Sequence, residues 1–141
     1  MNDFGKLVLR LSVGVMMLLH GISKAQNVDG TMQFVQGAIS GLGMPAFLAY
    51  GVFLGELVAP ALLILGVLPR LSSLAIMATM AVAALTHTIG EGANPLFSLS
   101  GYGGWSYELQ GLYFFAALAI VIMGSGKISL YGKFLGFTDK P

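Results

Sequence analysis

The sequence predicts an all-α integral membrane protein, a four-helix bundle with both termini on the cytoplasmic side of the membrane (N-in/C-in). Its composition is the first reason: 56% of the 141 residues are hydrophobic, only 9% are charged, and the mean hydropathy is +0.83. In soluble domains about a quarter of the residues are charged. The second reason is the alternation of long apolar runs with short polar segments, and the third is the uneven distribution of lysine and arginine.

We expect a single membrane domain over residues 1–141. The spans are predicted at about residues 5–23, 46–68, 71–89 and 107–123, and a short interfacial segment at residues 127–137. A helix of about 20 apolar residues crosses the hydrocarbon core, which is about 30 Å thick. The C-terminal segment contains no apolar run of that length, so we do not expect a fifth span there.

The first span carries polar residues on one face. Arg10 lies near its start, and His20 and Lys24 lie near its end. The helical period places five residues on one stripe, namely Arg10, Gly14, Met17, Gly21 and Lys24. Glycine permits close approach of a second helix, so we expect this stripe to face the bundle.

The same segment also has features of a signal peptide. Lys6 and Arg10 precede a short apolar run at residues 11–19, and Ser23-Lys24-Ala25 resembles a cleavage site. We expect the segment to remain as a span, because the second span needs a helical partner.

The second span contains a single carboxylate, Glu56, close to mid-depth. An acid at that depth costs several kcal/mol unless it is protonated, paired or facing water, so Glu56 is a candidate functional residue. Pro60 lacks the N–H that would bond the carbonyl of residue 56, and we expect a kink that leaves this carbonyl free. The structural alternative is that a protonated Glu56 hydrogen-bonds a neighbouring helix.

Two connections precede the third span. A short amphipathic segment, Thr31 to Ile39, is expected to lie on the membrane surface between the first and second spans. The Pro69-Arg70 turn is so short that the second and third spans must be antiparallel neighbours.

The connection to the fourth span is rich in glycine. Residues 90–106 are predicted to form a loop. Tyr102, Trp105 and Tyr107 suit the membrane–water interface, where aromatic side chains are enriched. The fourth span then opens with Glu108.

The positive-inside rule gives the orientation. Placing both termini in the cytoplasm puts six of the seven basic residues on or near that side, namely Lys6, Arg10, Arg70, Lys127, Lys133 and Lys140. Lys24 alone lies opposite. The acidic residues Asp29, Glu91 and Glu108 then lie at the outer side.

Depth along these spans brings ionisable groups together. Five of them are predicted in the outer half of the bundle: His20, Lys24, Glu56, His87 and Glu108. Arg10 lies alone in the inner half. Polar groups inside a membrane face one another rather than lipid, so we expect these five to form one cluster.

Two imidazoles and two carboxylates suit three kinds of ligand. The oxygens of a quinone need hydrogen-bond donors that also pass protons, such as histidine near a carboxylate. A metal ion is the second possibility, bound by His20 and His87 with Glu56 and Glu108. A haem held between the two histidines is the third. Alternatively, pairs such as His20–Glu108 or Lys24–Glu108 form a network that only stabilises the bundle.

The composition excludes several function classes. The chain contains no cysteine, which removes thiolate nucleophiles, disulfide exchange and Cys-ligated clusters. Any redox chemistry therefore needs a bound cofactor. There is no basic run and no aromatic RNA-binding motif, so we expect no nucleic-acid partner.

Several segments, taken in this order, resemble the DoxX family. They are Arg10 with the segment LLHGISK in the first span, Gly55-Glu56-Leu57, Pro60, Leu65-Gly66, the Pro69-Arg70 turn, His87 and the closing run Gly124-Ser125-Gly126-Lys127-Ile128-Ser129-Leu130. The resemblance covers nearly the whole chain. It implies a multi-pass, four-helix protein of the bacterial inner membrane with a loose association with oxidoreductases, and it assigns no catalytic residue.

Our leading hypothesis is an inner-membrane redox accessory protein, a component of a membrane oxidoreductase, that binds a quinone-like ligand in an outer-half pocket. His20 and His87 bond the ligand's oxygens. Glu56 or Glu108 exchanges protons, and Lys24 stabilises an anionic reduced form. The expected partners are the lipid bilayer, a redox partner protein and a second copy of the chain.

Two other functions fit the same residues. One is a non-catalytic scaffold or assembly subunit of an oxidoreductase complex, in which the polar residues only fix the bundle. The other is a small-solute or proton pathway along Arg10, Glu56 and His20. Arg10 is included among the candidate ligand-binding residues, and it also has the reach to snorkel to the cytoplasmic phosphates.

Overall fold

The computed structural model describes residues 3–89, 95–124, 126, 128 and 129. This part of the chain is all-helical, which confirms the predicted class. We number five helices: α1, Asp3–Ala25; α2, Val28–Ser40; α3, Ala46–Leu65; α4, Pro69–Ile89; and α5, Glu108–Met123. The predicted spans correspond to α1, α3, α4 and α5. Glu91, the basic residues Lys127, Lys133 and Lys140, and most of the predicted interfacial segment 127–137 lie outside the described residues.

Among the described residues, three helices are long and apolar enough to cross a membrane: α1, α3 and the Pro69–Thr88 part of α4. Helix α5 is also apolar but has 16 residues. Its length is about 24 Å at about 1.5 Å per residue, less than the hydrocarbon core of about 30 Å. The structure thus supports a membrane protein with three helices of spanning length, and the fourth span stays a prediction.

Helices α1 and α3 approach to backbone contact. The buried residues of α1 are Arg10, Val13, Gly14, Met17 and Gly21, which include most of the predicted stripe. A Cβ atom at Gly14 would lie 2.7 Å from Cγ1 of Ile64, and one at Gly21 would overlap the carbonyl oxygen of Glu56. Glycine at both positions is therefore what allows the two helices to pack this closely.

Helix α3 changes its winding around Glu56. It begins with a tight 3₁₀ segment, Ala46–Tyr50, and contains one wide π-helical turn, Leu54–Val58, in which the N–H of Ala59 bonds the carbonyl of Leu54. The wide turn lies just before Pro60, whose ring lacks an N–H for the carbonyl of Glu56. Gly21 instead presents its Cα–H to that carbonyl, a weak hydrogen-bond geometry.

The main core lies where α1, α3, α4 and α5 meet. Its buried members are Val13, Met17, Ala59, Leu63, Ile76, Met80, Tyr113, Ala117 and Ile120. Within the described chain, helix α4 packs extensively against α5, and helix α1 packs to a similar extent against α3. Helix α3 ends at Gly66, whose φ of +72° is a left-handed conformation that glycine adopts without strain. This cap makes the antiparallel turn into α4 possible.

Helix α2 packs against the start of α3. Asn27 caps it, because its Oδ1 atom accepts a hydrogen bond from the N–H of Gly30 at 3.1 Å. A second buried cluster consists of Met32, Ile39, Ala49 and Val52. The amphipathic segment predicted at residues 31–39 is thus helical. Protein covers Met32 and Ile39, whereas Phe34 is exposed. The position of this segment at the membrane surface stays a prediction.

The described part of the connection before α5, which begins at residue 95, forms a small hairpin. Ser98 and Ser106 bond each other through their hydroxyl groups at 2.9 Å, and the indole N–H of Trp105 donates to the carbonyl of Leu96 at 2.5 Å. Tyr107 is buried, whereas Tyr102 is fully exposed. Of the three aromatic residues assigned to the interface, only Tyr102 therefore points away from the protein.

We expect Gly21→Ala to destabilise the protein, because the added Cβ overlaps the backbone of α3. Overpacking of this kind costs about 1–3 kcal/mol, and thermal unfolding in detergent measures it. Gly5→Ala is the matched control on the same helix, since a Cβ there meets no described atom within 4 Å. Alanine at Gly5 should be neutral or stabilising by about 0.5–1 kcal/mol. Equal stability of the two variants would contradict the close contact.

Candidate functional site

A cavity of about 460 Å³ lies between the C-terminal half of α1, helix α2, the first half of α3, the C-terminal half of α4 and the start of α5. Most of its lining is aliphatic or aromatic. Its polar side chains are His20, Lys24, Glu56, Thr79, Thr86, His87, Gln110 and Tyr113. The cavity has the size and the mixture of apolar walls with few polar groups that is typical of small-molecule sites.

Glu56 is the buried charge in this cavity. Its side chain is 4% exposed, and its Oε1 atom lies 2.5 Å from the ammonium nitrogen of Lys24, whose side chain is 36% exposed. Lys24 extends from the last turn of α1 to the wide turn of α3. The ion pair therefore ties these two helices together and places an ammonium group at the edge of the cavity.

Two buried oxygen atoms on the cavity wall have no hydrogen-bond partner among the described residues. They are Oε2 of Glu56 and the hydroxyl of Tyr113. The carboxylate oxygen Oε2 and the phenol hydroxyl do not bond each other. A buried polar atom left without a partner costs about 1–3 kcal/mol. Both atoms are therefore positions where a bound ligand would gain hydrogen bonds.

The hydrogen bond of His20 identifies which of its ring nitrogens carries the proton. Its Nδ1 atom lies 2.9 Å from the carbonyl oxygen of Met16. Because a carbonyl only accepts, Nδ1 carries the proton, and Nε2 of the neutral ring is an acceptor. The imidazole contacts the ring of Tyr113 edge-on, with 5.9 Å between ring centroids. His20 and Tyr113 thus form one aromatic corner of the cavity.

His87 lies in the last turn of α4 and lines the same cavity. Its ring is 6.5 Å from that of Tyr107, measured between centroids. The imidazole is exposed in the isolated chain. The two histidines, which depth along the spans predicted to lie at one level, do line one cavity.

Glu108 and Arg10 lie elsewhere. The carboxylate of Glu108 faces the hairpin, where a Cβ at Gly104 would be 2.8 Å from Oε2, and it is not part of the cavity lining. Arg10 is buried at the other end of α1 and donates a hydrogen bond from Nη2 to the carbonyl of Ile128 at 2.9 Å. The structure therefore groups His20, Lys24, Glu56 and His87, and leaves these two residues apart from them.

The basic residues near the N-terminus hold the segment after α5. Lys6 donates a hydrogen bond to the carbonyl of Met123 at 2.8 Å, and Arg10 bonds the backbone at Ile128. A Cβ at Gly66 would lie 3.0 Å from Nη1 of Arg10, so glycine leaves room for the guanidinium. These contacts explain how a buried arginine is accommodated within an apolar bundle.

A metal site does not emerge from this geometry. No group of three or more His, Asp or Glu side chains in the described chain is arranged to hold a metal ion. The carboxylate of Glu56 is already paired with Lys24. Ligation of a metal or of a haem by His20 and His87 stays a prediction of the sequence.

Sequence reasoning did not assign Tyr113 or Gln110 to the site. Both lie on α5 and line the cavity. Tyr113 has a detectable signal, because it is the single polar side chain in the apolar run from residue 112 to residue 123. Phe34 and Val35 of α2 also line the cavity, and sequence reasoning did not assign them to it.

The DoxX family model matches residues 5–89. The chain belongs to the DoxX family. The match includes six of the eight polar residues of the cavity, among them His20, Lys24, Glu56 and His87. Helix α5, with Tyr113, lies beyond the match.

One curated DoxX-type relative gives a clear alignment. It is "Putative oxidoreductase CatD" of Bacillus subtilis (strain 168), 32% identical over 84 residues, which is 60% of this chain and 60% of that protein. The alignment thus spans less than two thirds of the relative's length. No solved structure matches the chain.

We expect Lys24→Met to lower the free energy of unfolding, because it leaves the buried carboxylate of Glu56 without its cation. Adding Glu56→Gln should recover part of the loss. The double-mutant cycle should give a coupling of about 1–3 kcal/mol, measured by denaturation in detergent micelles. Gln26→Met, at an exposed position nearby, is the control. Additive effects of the two substitutions would show that the ion pair contributes nothing to stability.

Proposed function

We propose that the protein is a redox accessory component of the membrane that binds a quinone-like ligand in the cavity lined by His20, Glu56 and Tyr113. The observation that carries the proposal is the combination of an apolar cavity with two buried oxygen atoms that have no partner among the described residues. A flat apolar ring with polar oxygens at its edge matches both features. The family and its oxidoreductase-named relative support the redox assignment.

The side chains of the cavity suit such a ligand. A bound quinone supplies two-electron redox chemistry coupled to protons. The hydroxyl of Tyr113 donates a hydrogen bond to a ligand oxygen, and the imidazoles of His20 and His87 exchange protons with the ligand edge. Lys24 holds the Glu56 carboxylate and adds positive charge beside the ligand. The apolar walls exclude water from the ring.

The proposal includes an arrangement in the membrane. We infer a bundle of four spans in the bacterial inner membrane, with both termini in the cytoplasm, so that the cavity opens in the outer half. The uneven distribution of lysine and arginine supports this orientation. A redox partner protein would then deliver or remove electrons through the ligand, and a second copy of the chain would cover further apolar surface.

A non-catalytic scaffold is the second candidate, and the Lys24–Glu56 ion pair favours it. An ion pair that joins α1 to α3 stabilises the helix arrangement even if no ligand binds. In that case the cavity residues fix the bundle, and an oxidoreductase partner performs the chemistry.

We expect the detergent-purified protein to bind decylubiquinone at a single site, and His20→Ala to weaken binding about five- to tenfold. The substitution removes the imidazole ring that forms one aromatic corner of the cavity, and the loss of a ring contact of about 1–1.5 kcal/mol has that effect. Titration calorimetry, with empty micelles subtracted, measures the affinity. Ser12→Ala is the control, because Ser12 is an exposed polar residue of α1 outside the cavity.

The two candidates predict opposite results. If the cavity binds the ligand, His20→Ala loses affinity while its thermal stability remains close to that of the wild type. If the residues form only a scaffold, the wild type shows no saturable binding and His20→Ala lowers the unfolding temperature. Absorption spectra and metal analysis of the same sample test the haem and metal alternatives.

A further inference from the structure

The polar atoms of the cavity that discriminate between ligands are acceptors. Oε2 of Glu56 belongs to a carboxylate whose Oε1 atom is paired with the ammonium of Lys24. An ionised carboxylate accepts hydrogen bonds and donates none. Nε2 of His20 is a further acceptor, since the proton of the neutral ring lies on Nδ1 toward Met16.

The donors in the cavity do not discriminate in the same way. The hydroxyl of Tyr113 and the ammonium of Lys24 can donate to a carbonyl oxygen, and they can donate equally to the oxygen of a hydroxyl group. A ligand hydroxyl therefore keeps these bonds and gains a further one by donating its own proton. A ligand carbonyl has no proton to donate.

The acceptors of the cavity therefore distinguish the quinone form of a ring ligand from its quinol form. A quinone oxygen facing Oε2 of Glu56 brings lone pairs against a negative charge, on a side chain that is only 4% exposed. A quinol hydroxyl donates to the same oxygen in a charge-assisted hydrogen bond, which is among the stronger kinds. The hydroxyl then also accepts from Tyr113, so that both partnerless oxygens of the wall are satisfied.

We propose that the cavity binds the reduced, dihydroxy form of its ring ligand more tightly than the quinone, with Glu56 Oε2 as the acceptor and the Tyr113 hydroxyl as the donor to one ligand hydroxyl. This inference rests on the proposed function and adds the form of the ligand that the site selects. Tyr113 thereby becomes a ligand-binding residue of the site. Each tenfold preference for the quinol raises the potential of the bound two-electron couple by about 30 mV.

The test compares tetramethylhydroquinone with tetramethylbenzoquinone, two rings of nearly equal size. Their affinities for the purified protein are measured under argon by titration calorimetry in detergent micelles, with empty micelles subtracted. We expect the wild type to bind the quinol at least tenfold more tightly. The dimethyl ether of the quinol, which keeps the oxygens and lacks the protons, should bind no better than the quinone.

Two variants locate the preference. Glu56→Gln replaces an oxygen acceptor by an amide that can also donate, so the ratio of the two affinities should fall to near one. Tyr113→Phe removes a donor that serves both ligands, so both affinities should fall by a similar factor while the ratio is kept. Ser12→Ala should leave the affinities and the ratio unchanged. Thermal unfolding of each variant shows whether it is folded.

The outcomes separate this inference from the proposed function. Saturable binding of both rings with equal affinity, or tighter binding of the quinone, overturns the inference and leaves the cavity as a ring-binding site. Absence of saturable binding by either ring overturns the proposed function as well. If Glu56→Gln does not fold, the dimethyl ether still decides, because equal binding of ether and quinol would contradict the role of the donated proton.

Discussion

The ion pair between Lys24 and Glu56 is the interaction on which the rest of the structure depends. A carboxylate among apolar helices needs a partner, since the cost of burying it alone is several kcal/mol. Lys24 reaches Glu56 only because α1 and α3 approach closely, and that approach requires glycine at residue 21, where a side chain would overlap the carbonyl of Glu56. The wide turn before Pro60 presents this carbonyl and the carboxylate to the same helix. The same close approach of α1 and α3 therefore allows both the tight helix packing at Gly21 and the ion pair between Lys24 and Glu56.

The sequence allowed us to predict that the two histidines lie near each other, but it did not allow us to predict the rotation of each helix about its axis. Counting residues along antiparallel spans placed His20 and His87 at one level, and both line the cavity. The same counting placed Glu108 there, but its carboxylate faces the hairpin, while Tyr113, further along α5, points to the cavity. Helix α5 is apolar on nearly every side, so its sequence carries no periodic signal for rotation. Helix α1 has such a signal in its small and polar stripe, and its buried face was predicted.

Features that arise from contacts between segments distant in the sequence also could not be predicted. The pattern of α2 is that of any amphipathic helix, and it does not say whether lipid or protein covers the apolar face. In the structure α2 forms one wall of the cavity. Likewise, Pro60 guarantees a missing hydrogen bond but leaves open whether the helix bends or widens, and the close approach of Gly21 accompanies the wide turn. Trp105 is similar: it packs over Gly111, where a side chain would overlap its ring.

A structural role and a ligand-binding role are both compatible with Glu56, because its two carboxylate oxygens have different surroundings. Oε1 serves the fold, because it holds Lys24 and so joins two helices. Oε2 is buried, lies on the wall of the cavity and has no partner among the described residues. A single substitution at Glu56 removes both at once, and its effect on stability therefore says little about binding. A change on the ligand, from hydroxyl to ether, acts on Oε2 alone and leaves the ion pair intact. Changing the ligand, rather than substituting Glu56, therefore distinguishes the ligand-binding role of this carboxylate from its role in stability.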